Sequence, residues 1–271
     1  PYQSEYDQQI LVRGDEMNPI NLVQVTDTHL FAQTSSKLSK INTLDTLNKV
    51  FNFIQCNEDQ FDCLIATGDI AQDASLKAYQ HFMLSVEKFA VPFRWIPGNH
   101  DNVSLMQRIS YGTNYCHKTL KIGNWVIVLL DTSVKHEVSG LLSEMELKFL
   151  KTTLDLIERE VEVNNVLICL HHNPVEVRHG WAKEIGLRNS SDFFDVIEKF
   201  PAVRCAVFGH LHQEIDIEHK GIRLLCSPST CTQFVPNAKN FKLDSIHPGY
   251  RRLLLYEDGS IDTKVIRLKE I

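Results

Sequence analysis

Apolar runs alternate with amphipathic segments over the first hundred residues. The runs at 20–25, 62–67 and 91–96 have the length and composition of core strands. The segments at 41–54 and 76–89 repeat apolar residues every three or four positions, which is typical of amphipathic helices. This order of strand, helix, strand, helix, strand predicts parallel strands joined by helices. Because parallel strands point the same way, we expect the residues that follow the three strands to meet at one edge of a sheet.

The remaining chain adds further strands and then changes its pattern. The predicted elements are strands at 125–131, 166–170 and 203–208 and helices at 143–161 and 191–200. Beyond residue 210, two segments have the pattern of antiparallel hairpins, with turns at Lys220-Gly221 and Asp258-Gly259. Neither a linker nor a repeat nor a low-complexity segment interrupts the sequence. We therefore expect one domain over residues 1–271.

Composition narrows the classes of function. The chain has 271 residues, of which 43% are hydrophobic and 23% are charged, as is ordinary for a folded soluble protein. The longest uninterrupted apolar run, at 125–130, is far shorter than the ~20 residues of a membrane helix, so we expect no membrane partner. A net charge of −6 without a long basic run argues against a nucleic-acid partner and against a nuclease. An acidic chain that binds a small anionic substrate then needs a local positive centre, such as a metal ion.

The cysteines favour a reducing compartment. Seven are scattered along the chain, and none forms a Cys-x-x-Cys pair. Several lie within apolar, strand-like segments, which is typical of buried reduced thiols. We therefore expect a cytoplasmic protein. The sequence does not predict an oligomeric state.

Short polar motifs follow five of the predicted strands. They are Asp27-x-His29, Gly68-Asp69, Gly98-Asn99-His100-Asp101, His171-His172 and Gly209-His210-x-His212. Taken singly, most have ordinary explanations, since a Gly-Asp pair after a strand is usually a turn and a histidine pair can simply be hydrogen-bonded in a loop. The last motif is more specific, because it places two imidazoles on one face of an extended chain. Five such motifs at five strand ends predict a shared site.

The residue types in these motifs suit metal-dependent phosphoryl transfer. Asp, Asn and neutral His supply oxygen and nitrogen ligands, which Mn, Fe and Zn accept. A carboxylate has two oxygens and can therefore bridge two cations. Two metal ions about 3.5–4 Å apart hold the attacking and leaving oxygens of a phosphoryl displacement. They also lower the pKa of bound water, so that a hydroxide nucleophile is available near neutral pH.

The ordered set of motifs resembles the signature of the calcineurin-like metallophosphoesterases over residues 20–215. The resemblance implies an α/β protein, specifically a four-layer α/β/β/α sandwich of two mixed sheets. It also implies a dinuclear centre of divalent or trivalent metal ions, with Fe and Mn as the first expectation and Zn, Co or Ni as acceptable alternatives. The implied ligands are Asp27, His29 and His212 for one ion, Asn99, His171 and His210 for the other, and Asp69 as the bridge.

The same resemblance implies how a substrate is bound and cleaved. In the family, the residue at the position of His100 binds no metal ion; it contacts the phosphate and is the usual candidate to protonate the leaving oxygen. The implied substrate-binding residues are His29, Asp69, Asn99 and His100. Of the histidine pair, His171 aligns with the ligand position, so His172 would support the ligands from behind.

The segments that flank the motifs are similar to those of the bacterial class III 3′,5′-cyclic AMP phosphodiesterases. They are residues 26–32, 66–73, 97–101, 227–234, 240–244 and 248–251. With them, the resemblance covers nearly the whole chain. It implies cyclic AMP as the small-molecule substrate, 5′-AMP as the product and a metal-bound hydroxide as the nucleophile.

Two alternatives to that function stay open. The metal motifs serve any phosphoester, so a phosphomonoesterase, a glycerophosphodiesterase or a nucleotide pyrophosphatase of the same fold would carry the same ligands. A non-catalytic binding scaffold would be expected to have lost ligands or His100, and none is missing here.

Two local questions also stay open. Asp101 either orients His100, as carboxylates often do for histidines, or forms the N-cap of a helix over 102–109. The candidate stacking partners for the purine are Phe234, His247, Tyr250, Arg178, His179 and Trp181. Packing within the closing strands is an equally good interpretation of those in the tail.

Overall fold

Two large β-sheets form the framework of the molecule. The computed structural model describes residues 18–58, 60–177 and 180–269. The expectation of one domain over 1–271 stays a prediction, because residues 1–17 lie outside these ranges. The strands are β1 (Ile20–Val25), β2 (Lys37–Leu38), β3 (Ile41–Asn42), β4 (Cys63–Thr67), β5 (Phe93–Ile96), β6 (Thr119–Ile122), β7 (Trp125–Leu129), β8 (Asn165–Cys169), β9 (Val203–Phe208), β10 (Ile215–His219), β11 (Ile222–Cys226), β12 (Gln233–Phe234), β13 (Leu243–Asp244), β14 (Gly249–Leu255) and β15 (Ile261–Arg267). The α-helices are α1 (Thr43–Asn57), α2 (Leu76–Val86), α3 (Val103–Ile109), α4 (Glu144–Ile157) and α5 (Ser190–Ile197).

The first large sheet has the strand order β15-β14-β1-β4-β5. Strands β1, β4 and β5 run parallel, and α1 and α2 connect them, which confirms the predicted alternation of strands and helices. Strand β14 pairs antiparallel with both β1 and β15, so the predicted hairpin near the end of the chain extends the sheet on the other side of β1. The carboxyl ends of β1, β4 and β5 consequently share one edge.

The second large sheet has the strand order β10-β11-β9-β8-β7-β6. Strands β7, β8, β9 and β11 run parallel, whereas β6 and β10 pair antiparallel at the two sides. The predicted hairpin of β10 and β11 is confirmed. The sequence pattern does not predict that β11 also joins β9, since a hairpin signal carries no information about the next neighbour in a sheet.

The two sheets pack face to face with helices on their outer faces, which confirms the four-layer α/β/β/α sandwich. Successive side chains of each strand point to opposite faces of its sheet, so each sheet contributes to an inner core and to an outer core. The inner core includes Leu22, Ile65 and Leu253 of the first sheet and Ile127, Leu167 and Val207 of the second. The first outer core packs Val23, Leu64 and Phe93 against Leu47, Phe51 and Phe82 of α1 and α2. The second packs Val128, Ile168 and Ala206 against Leu150, Leu154 and Phe193 of α4 and α5.

Helix α4 ends earlier than predicted. It begins where the Ser143 hydroxyl accepts a hydrogen bond from the Glu146 backbone N–H, and it ends at Ile157 rather than at 161. Val161 is 93% exposed, so the apolar residue that lengthened the prediction does not belong to the buried face of the helix. Among the helices formed by the described residues, the longest is α1 with 15 residues, and none is long and apolar enough to cross a bilayer.

Candidate metal centre

Polar loops from both sheets meet at one edge of the sandwich. The predicted site residues that these loops carry are Asp27, His29, Asp69, Asn99 and His100 from the first sheet and His171, His210 and His212 from the second. The structure brings all eight together. Six of them are at most 5% exposed, whereas Asn99 and His100 are half-buried.

Left-handed backbone conformations aim several of these side chains. Among the site residues, those with positive φ angles, between 46° and 68°, are Asp27, His29, Asp69, His210 and His212. This conformation costs a residue other than glycine roughly 1–2 kcal/mol, so it persists only where the surrounding contacts hold it. The chain thereby turns sharply at the strand ends. Gly98 allows two of the loops to approach closely, because a Cβ atom at that position would overlap the Asp69 carboxylate.

The first group of side chains contains Asp27, His29 and His212, whose potential ligand atoms lie within 4.8 Å of one another. Asp27 Oδ1 is 3.3 Å from His212 Nε2 and 3.9 Å from His29 Nε2. The two Nε2 atoms are 3.1 Å apart. His212 Nδ1 donates a hydrogen bond to the carbonyl oxygen of Thr232 at 2.7 Å. In the neutral ring, His212 Nε2 therefore presents a lone pair to the group.

The second group contains Asp69, Asn99, His171 and His210. Asp69 Oδ2 is 3.5 Å from His171 Nε2, and Asn99 Oδ1 is 3.3 Å from the same nitrogen. His210 Nδ1 is 3.2 Å from it. His171 Nδ1 donates to the carbonyl oxygen of Thr67 at 2.8 Å, which directs Nε2 into the group. The backbone carbonyls of Thr67 and Thr232 thus orient one histidine in each group, a contribution that a search for ligand residues misses.

Asp69 stands between the two groups. Its Oδ2 atom is 3.5 Å from His171 Nε2 in the second group and 3.8 Å from His29 Nε2 in the first. Its Oδ1 atom accepts the backbone N–H of His100 at 2.9 Å, which fixes the carboxylate and joins two loops. Asp69 is therefore the side chain best placed to belong to both groups.

The electrostatics of the cluster favour cations. Burial alone would raise the pKa of Asp27, but the neighbouring His212 holds that pKa at about 2. For Asp69, nearby histidines outweigh the same effect of burial, and its pKa stays well below the usual range. Burial lowers the pKa of His29 to about 4 and that of His210 to about 3, so both imidazoles are neutral at pH 7. Two buried carboxylates therefore face the neutral nitrogen donors of His29 and His210. For His171, the nearby charge of Asp69 outweighs the effect of burial and raises the pKa to about 9, so this imidazole carries a positive charge at pH 7.

His100 lies beside the two groups at the partly exposed side of the cluster. Its ring packs edge-on against His29, with the ring centroids 5.1 Å apart. Its Nδ1 atom is 3.2 Å from Gln72 Nε2. Nothing in the sequence marks Gln72 as a metal ligand or as an acid–base residue. A cavity of about 610 Å³ adjoins this point, with Asn99, His100 and Lys135 in its wall.

Comparison with known proteins identifies the family. The family model for calcineurin-like phosphoesterases matches residues 20–214. The chain belongs to the calcineurin-like phosphoesterase family. Among curated proteins, it is 41% identical over 254 residues to the 3′,5′-cyclic adenosine monophosphate phosphodiesterase CpdA of Escherichia coli (strain K12), with 93% of this chain and 90% of that protein covered. It is 38% identical over 250 residues to the phosphodiesterase of the same name from Pseudomonas aeruginosa, with 92% and 90% covered.

A solved structure shows the same fold. The dimetal phosphatase from Danio rerio superposes with a TM-score of 0.68 and 16% sequence identity, covering 92% of this chain and 96% of that one. At this identity, the likeness concerns the fold alone. The family match and the curated relatives make this calcineurin-like phosphoesterase a hydrolase, and the superposition shows that it has the metallophosphoesterase sandwich.

The side chains of this phosphoesterase fit the dinuclear metal centre that its family uses. The Nε2 atoms of His29 and His212 face each other at 3.1 Å inside the protein, and two nitrogens at that distance need either a shared proton or a cation between them. His210 Nε2 and His29 Nδ1 are buried and have no hydrogen-bond partner among the described residues. Nitrogen and oxygen are the donor atoms throughout, a set that Fe, Mn and Zn all accept.

His172 has its own hydrogen-bond partners. Its Nδ1 atom is 2.7 Å from the Thr132 hydroxyl, and its Nε2 atom donates to the carbonyl oxygen of Val138 at 3.1 Å. Both ring nitrogens are thus engaged, although the ring centroid lies only 4.7 Å from that of His210. These contacts agree with the expectation that His172 supports the ligands from behind.

Both sequence-based interpretations of Asp101 are wrong. The N-cap of α3 is Asn102, whose side chain accepts the Leu105 backbone N–H. The Asp101 carboxylate instead accepts hydrogen bonds at 2.9–3.2 Å from the backbone N–H groups of Ile70, Ala71 and Gly98 and from the hydroxyl of Tyr79. It therefore braces the loop after β4 against the loop after β5, and the partner of the His100 ring is Gln72.

We expect Asp101→Asn to lower the free energy of unfolding by about 2–4 kcal/mol, because the new amide group would face buried backbone donors and leave them unpaired. Burial and the charge of Asp69 raise the pKa of Asp101 to about 7, so urea denaturation at pH 8.5 compares the ionised carboxylate with the amide. Asn102→Asp is the matched control, since aspartate is an equally good N-cap, and we expect a change below about 0.5 kcal/mol. Equal stability of Asp101→Asn and the wild type would contradict the bracing role.

Two of the candidate purine partners have other roles. Tyr250 is buried, and its hydroxyl donates to Glu58 at 2.8 Å. His247 donates from Nδ1 to a backbone carbonyl oxygen 2.9 Å away. Packing is therefore the correct interpretation of both. Arg178 and His179 lie outside the described residues.

Proposed function

We propose that this calcineurin-like phosphoesterase hydrolyses 3′,5′-cyclic AMP to 5′-AMP at a dinuclear metal centre. The observation that carries the proposal is the position of Asp69, a buried carboxylate within 3.8 Å of a histidine nitrogen in each of the two groups. The relatives from E. coli and P. aeruginosa support cyclic AMP as the substrate, since both are named as cyclic AMP phosphodiesterases and both align with more than 90% of this chain.

Each group would hold one cation, and Asp69 would contact both. The proposed ligands are Asp27, His29 and His212 for the first ion and Asn99, His171 and His210 for the second. When bound, such cations neutralise charge on a phosphate and acidify water. Fe or Mn is the first expectation, and Zn, Co or Ni is chemically acceptable. The proposed substrate-binding residues are His29, Asp69, Asn99 and His100.

His100 would supply the proton for the leaving group. A water oxygen forms the new bond to phosphorus as the bond to the 3′-oxygen breaks, and the imidazolium of His100 protonates that oxygen. The product is 5′-AMP with a free 3′-hydroxyl. The His100 ring regains its proton from the attacking water. Gln72 suits both states of the ring, because its amide nitrogen donates to bare Nδ1 and its amide oxygen accepts from Nδ1–H.

Product identification tests the proposal directly. Protein loaded with Mn or Fe is incubated with cyclic AMP, cyclic GMP, 2′,3′-cyclic AMP and p-nitrophenyl esters, and the products are separated by chromatography. We expect cyclic AMP to yield 5′-AMP alone, with a kcat/KM of about 10⁴ M⁻¹s⁻¹ or more. Formation of 3′-AMP would contradict the assigned leaving group. Cleavage of p-nitrophenyl esters without any cleavage of cyclic AMP would overturn the substrate.

The proposed location is the cytoplasm. No disulfide links the seven cysteines, all of which lie within the described residues, and five of them are buried. Cys63, Cys169 and Cys205 pack in the inner core between the sheets, where burial raises the pKa of Cys205 to about 12. Buried, reduced thiols in the core are typical of proteins that work in a reducing compartment.

A further inference from the structure

Three aromatic side chains form a cluster at the rim of the metal centre. Phe234 stacks on the imidazole of His212, with the ring centroids 3.9 Å apart and the planes 12° from parallel. Phe241 and Trp181 pack edge-on against Phe234, with centroid distances of 4.9 Å and 5.4 Å, and against each other at 5.2 Å. We call Trp181, Phe234 and Phe241 the aromatic rim. It begins at a side chain of the first group and extends away from it.

Two separate segments build the aromatic rim. Phe234 lies in β12, where it pairs with Leu243 of β13, and Phe241 lies in the loop that joins these two strands. Trp181 begins a short 3₁₀ helix that docks on this loop, since its backbone N–H donates to the carbonyl oxygen of Ala238 at 3.4 Å. Gly180 permits the docking, because a Cβ atom there would overlap the same carbonyl oxygen. The loop pair thus holds the three rings beside the site.

Packing accounts for only part of this aromatic surface. Phe234 and Trp181 are half-buried, but Phe241 is 55% exposed. Phe234 separates Phe241 from the proposed metal ligand His212. Because the Phe241 ring is largely exposed, the burial of apolar surface accounts for little of its role. Such a ring does offer a flat π-face to a planar partner, and bases stack on aromatic side chains in this way.

We infer that the aromatic rim binds the base of the nucleotide, an inference that rests on the proposed function. With the phosphate at the metal centre, the nucleoside extends outward and the base stacks on the exposed ring of Phe241. The plane of Trp181 lies 82° from that of Phe241, so Trp181 meets the same base edge to face. Phe234 keeps His212 in place beneath them. The rival position is the cavity beside His100, whose wall includes Asp101, Asp131, Lys135 and His136 but neither phenylalanine, tyrosine nor tryptophan. Stacking accepts any base, so the aromatic rim should bind adenine and guanine nucleotides alike.

Binding of the product separates the contribution of the base from that of the phosphate. Isothermal titration calorimetry with Mn-loaded protein compares 5′-AMP with ribose 5-phosphate, which has the same phosphate and sugar but no base. We expect Phe241→Ala to weaken the binding of 5′-AMP by about 5- to 150-fold, the range found for one base stacked on one aromatic side chain. Trp181→Ala should weaken it by about 2- to 12-fold, as for the loss of an edge-to-face ring contact. The binding of ribose 5-phosphate should stay within about twofold of the wild-type value.

Matched variants distinguish stacking from packing. Phe241→Tyr keeps the ring and should bind 5′-AMP like the wild type, whereas Phe241→Leu keeps apolar volume without a π-face and should bind as weakly as Phe241→Ala. Tyr111→Ala removes a ring that is 92% exposed outside the aromatic rim and should change neither affinity.

Two results would overturn the inference. Equal weakening of 5′-AMP and ribose 5-phosphate would mean that the rings only support His212. Unchanged binding of 5′-AMP in both alanine variants would place the base elsewhere, such as in the cavity beside His100. Failure of the proposed function gives a different result, because a wild-type protein that binds 5′-AMP through these rings but leaves cyclic AMP intact would refute the reaction alone.

Discussion

Asp69→Asn is expected to reduce the bound metal from two ions per chain to at most one and to lower kcat/KM for cyclic AMP by about 10³-fold or more. The substitution removes the negative charge that lies within 3.8 Å of nitrogens in both groups. It keeps an Oδ1 acceptor for the His100 backbone N–H, so the loops should stay joined. A metal centre that stabilises charge in phosphoryl transfer contributes several kcal/mol, which corresponds to a loss of this size.

Elemental analysis of dialysed protein measures the first effect, and steady-state kinetics measures the second. Asp258→Asn is the control, because Asp258 caps the turn between β14 and β15 through hydrogen bonds to Ser260, at the opposite edge of the sandwich. It should retain two ions and full turnover. A fully active Asp69→Asn protein with two ions per chain would contradict the bridging role.

His100→Ala is expected to fail in a different way, because it should keep both metal ions while kcat falls by about 10²–10⁴-fold, the usual contribution of a general acid. The ring of His100 contacts His29, and its Nδ1 atom pairs with Gln72, but the proposed ligand set is complete without it. The binding of 5′-AMP should change far less than kcat, since the metal centre would still hold the phosphate.

The control for His100 is His219→Ala. His219 pairs with Glu198 at the end of β10, on the edge of the second sheet away from the site, so its loss should alter neither metal content nor kcat. Unchanged turnover in His100→Ala would remove His100 from the reaction. Loss of metal in that variant would instead make His100 a ligand.

The strand ends were predictable because the pattern and the chemistry agree there. Apolar runs locate the strands, and parallel strands of one sheet must deliver their carboxyl ends to one edge, so Asp27, Asp69 and Asn99 come together whatever the details of the loops. The sequence motifs alone also predicted which types of residue supply the proposed metal ligands. How the loops are braced was not predictable, because two of the partners of Asp101 are backbone N–H groups some 30 residues upstream, which have no sequence signature.

The same reasoning explains what was missed around His100 and His212. Gln72 and Phe241 are ordinary residues in their local sequence, and they acquire a role only from the three-dimensional neighbours that the loops give them. The early end of α4 has a simpler cause, since Val161 looks like a continuation of the apolar pattern but lies in solvent. Local pattern thus predicts elements and their polarity, whereas contacts between loops depend on tertiary packing.

Each group takes its side chains from both sheets. This arrangement has a consequence for the point in folding at which the enzyme can bind metal. The first group needs His29 from the loop after β1 and His212 from the loop after β9, which are 183 positions apart in the chain. A folding intermediate with only one sheet formed would hold no complete group, and nascent chains would gain both groups only after β9 has been synthesised and the sheets have docked. Metal should therefore bind late, only after the two sheets have docked. Partly folded molecules would then be inactive.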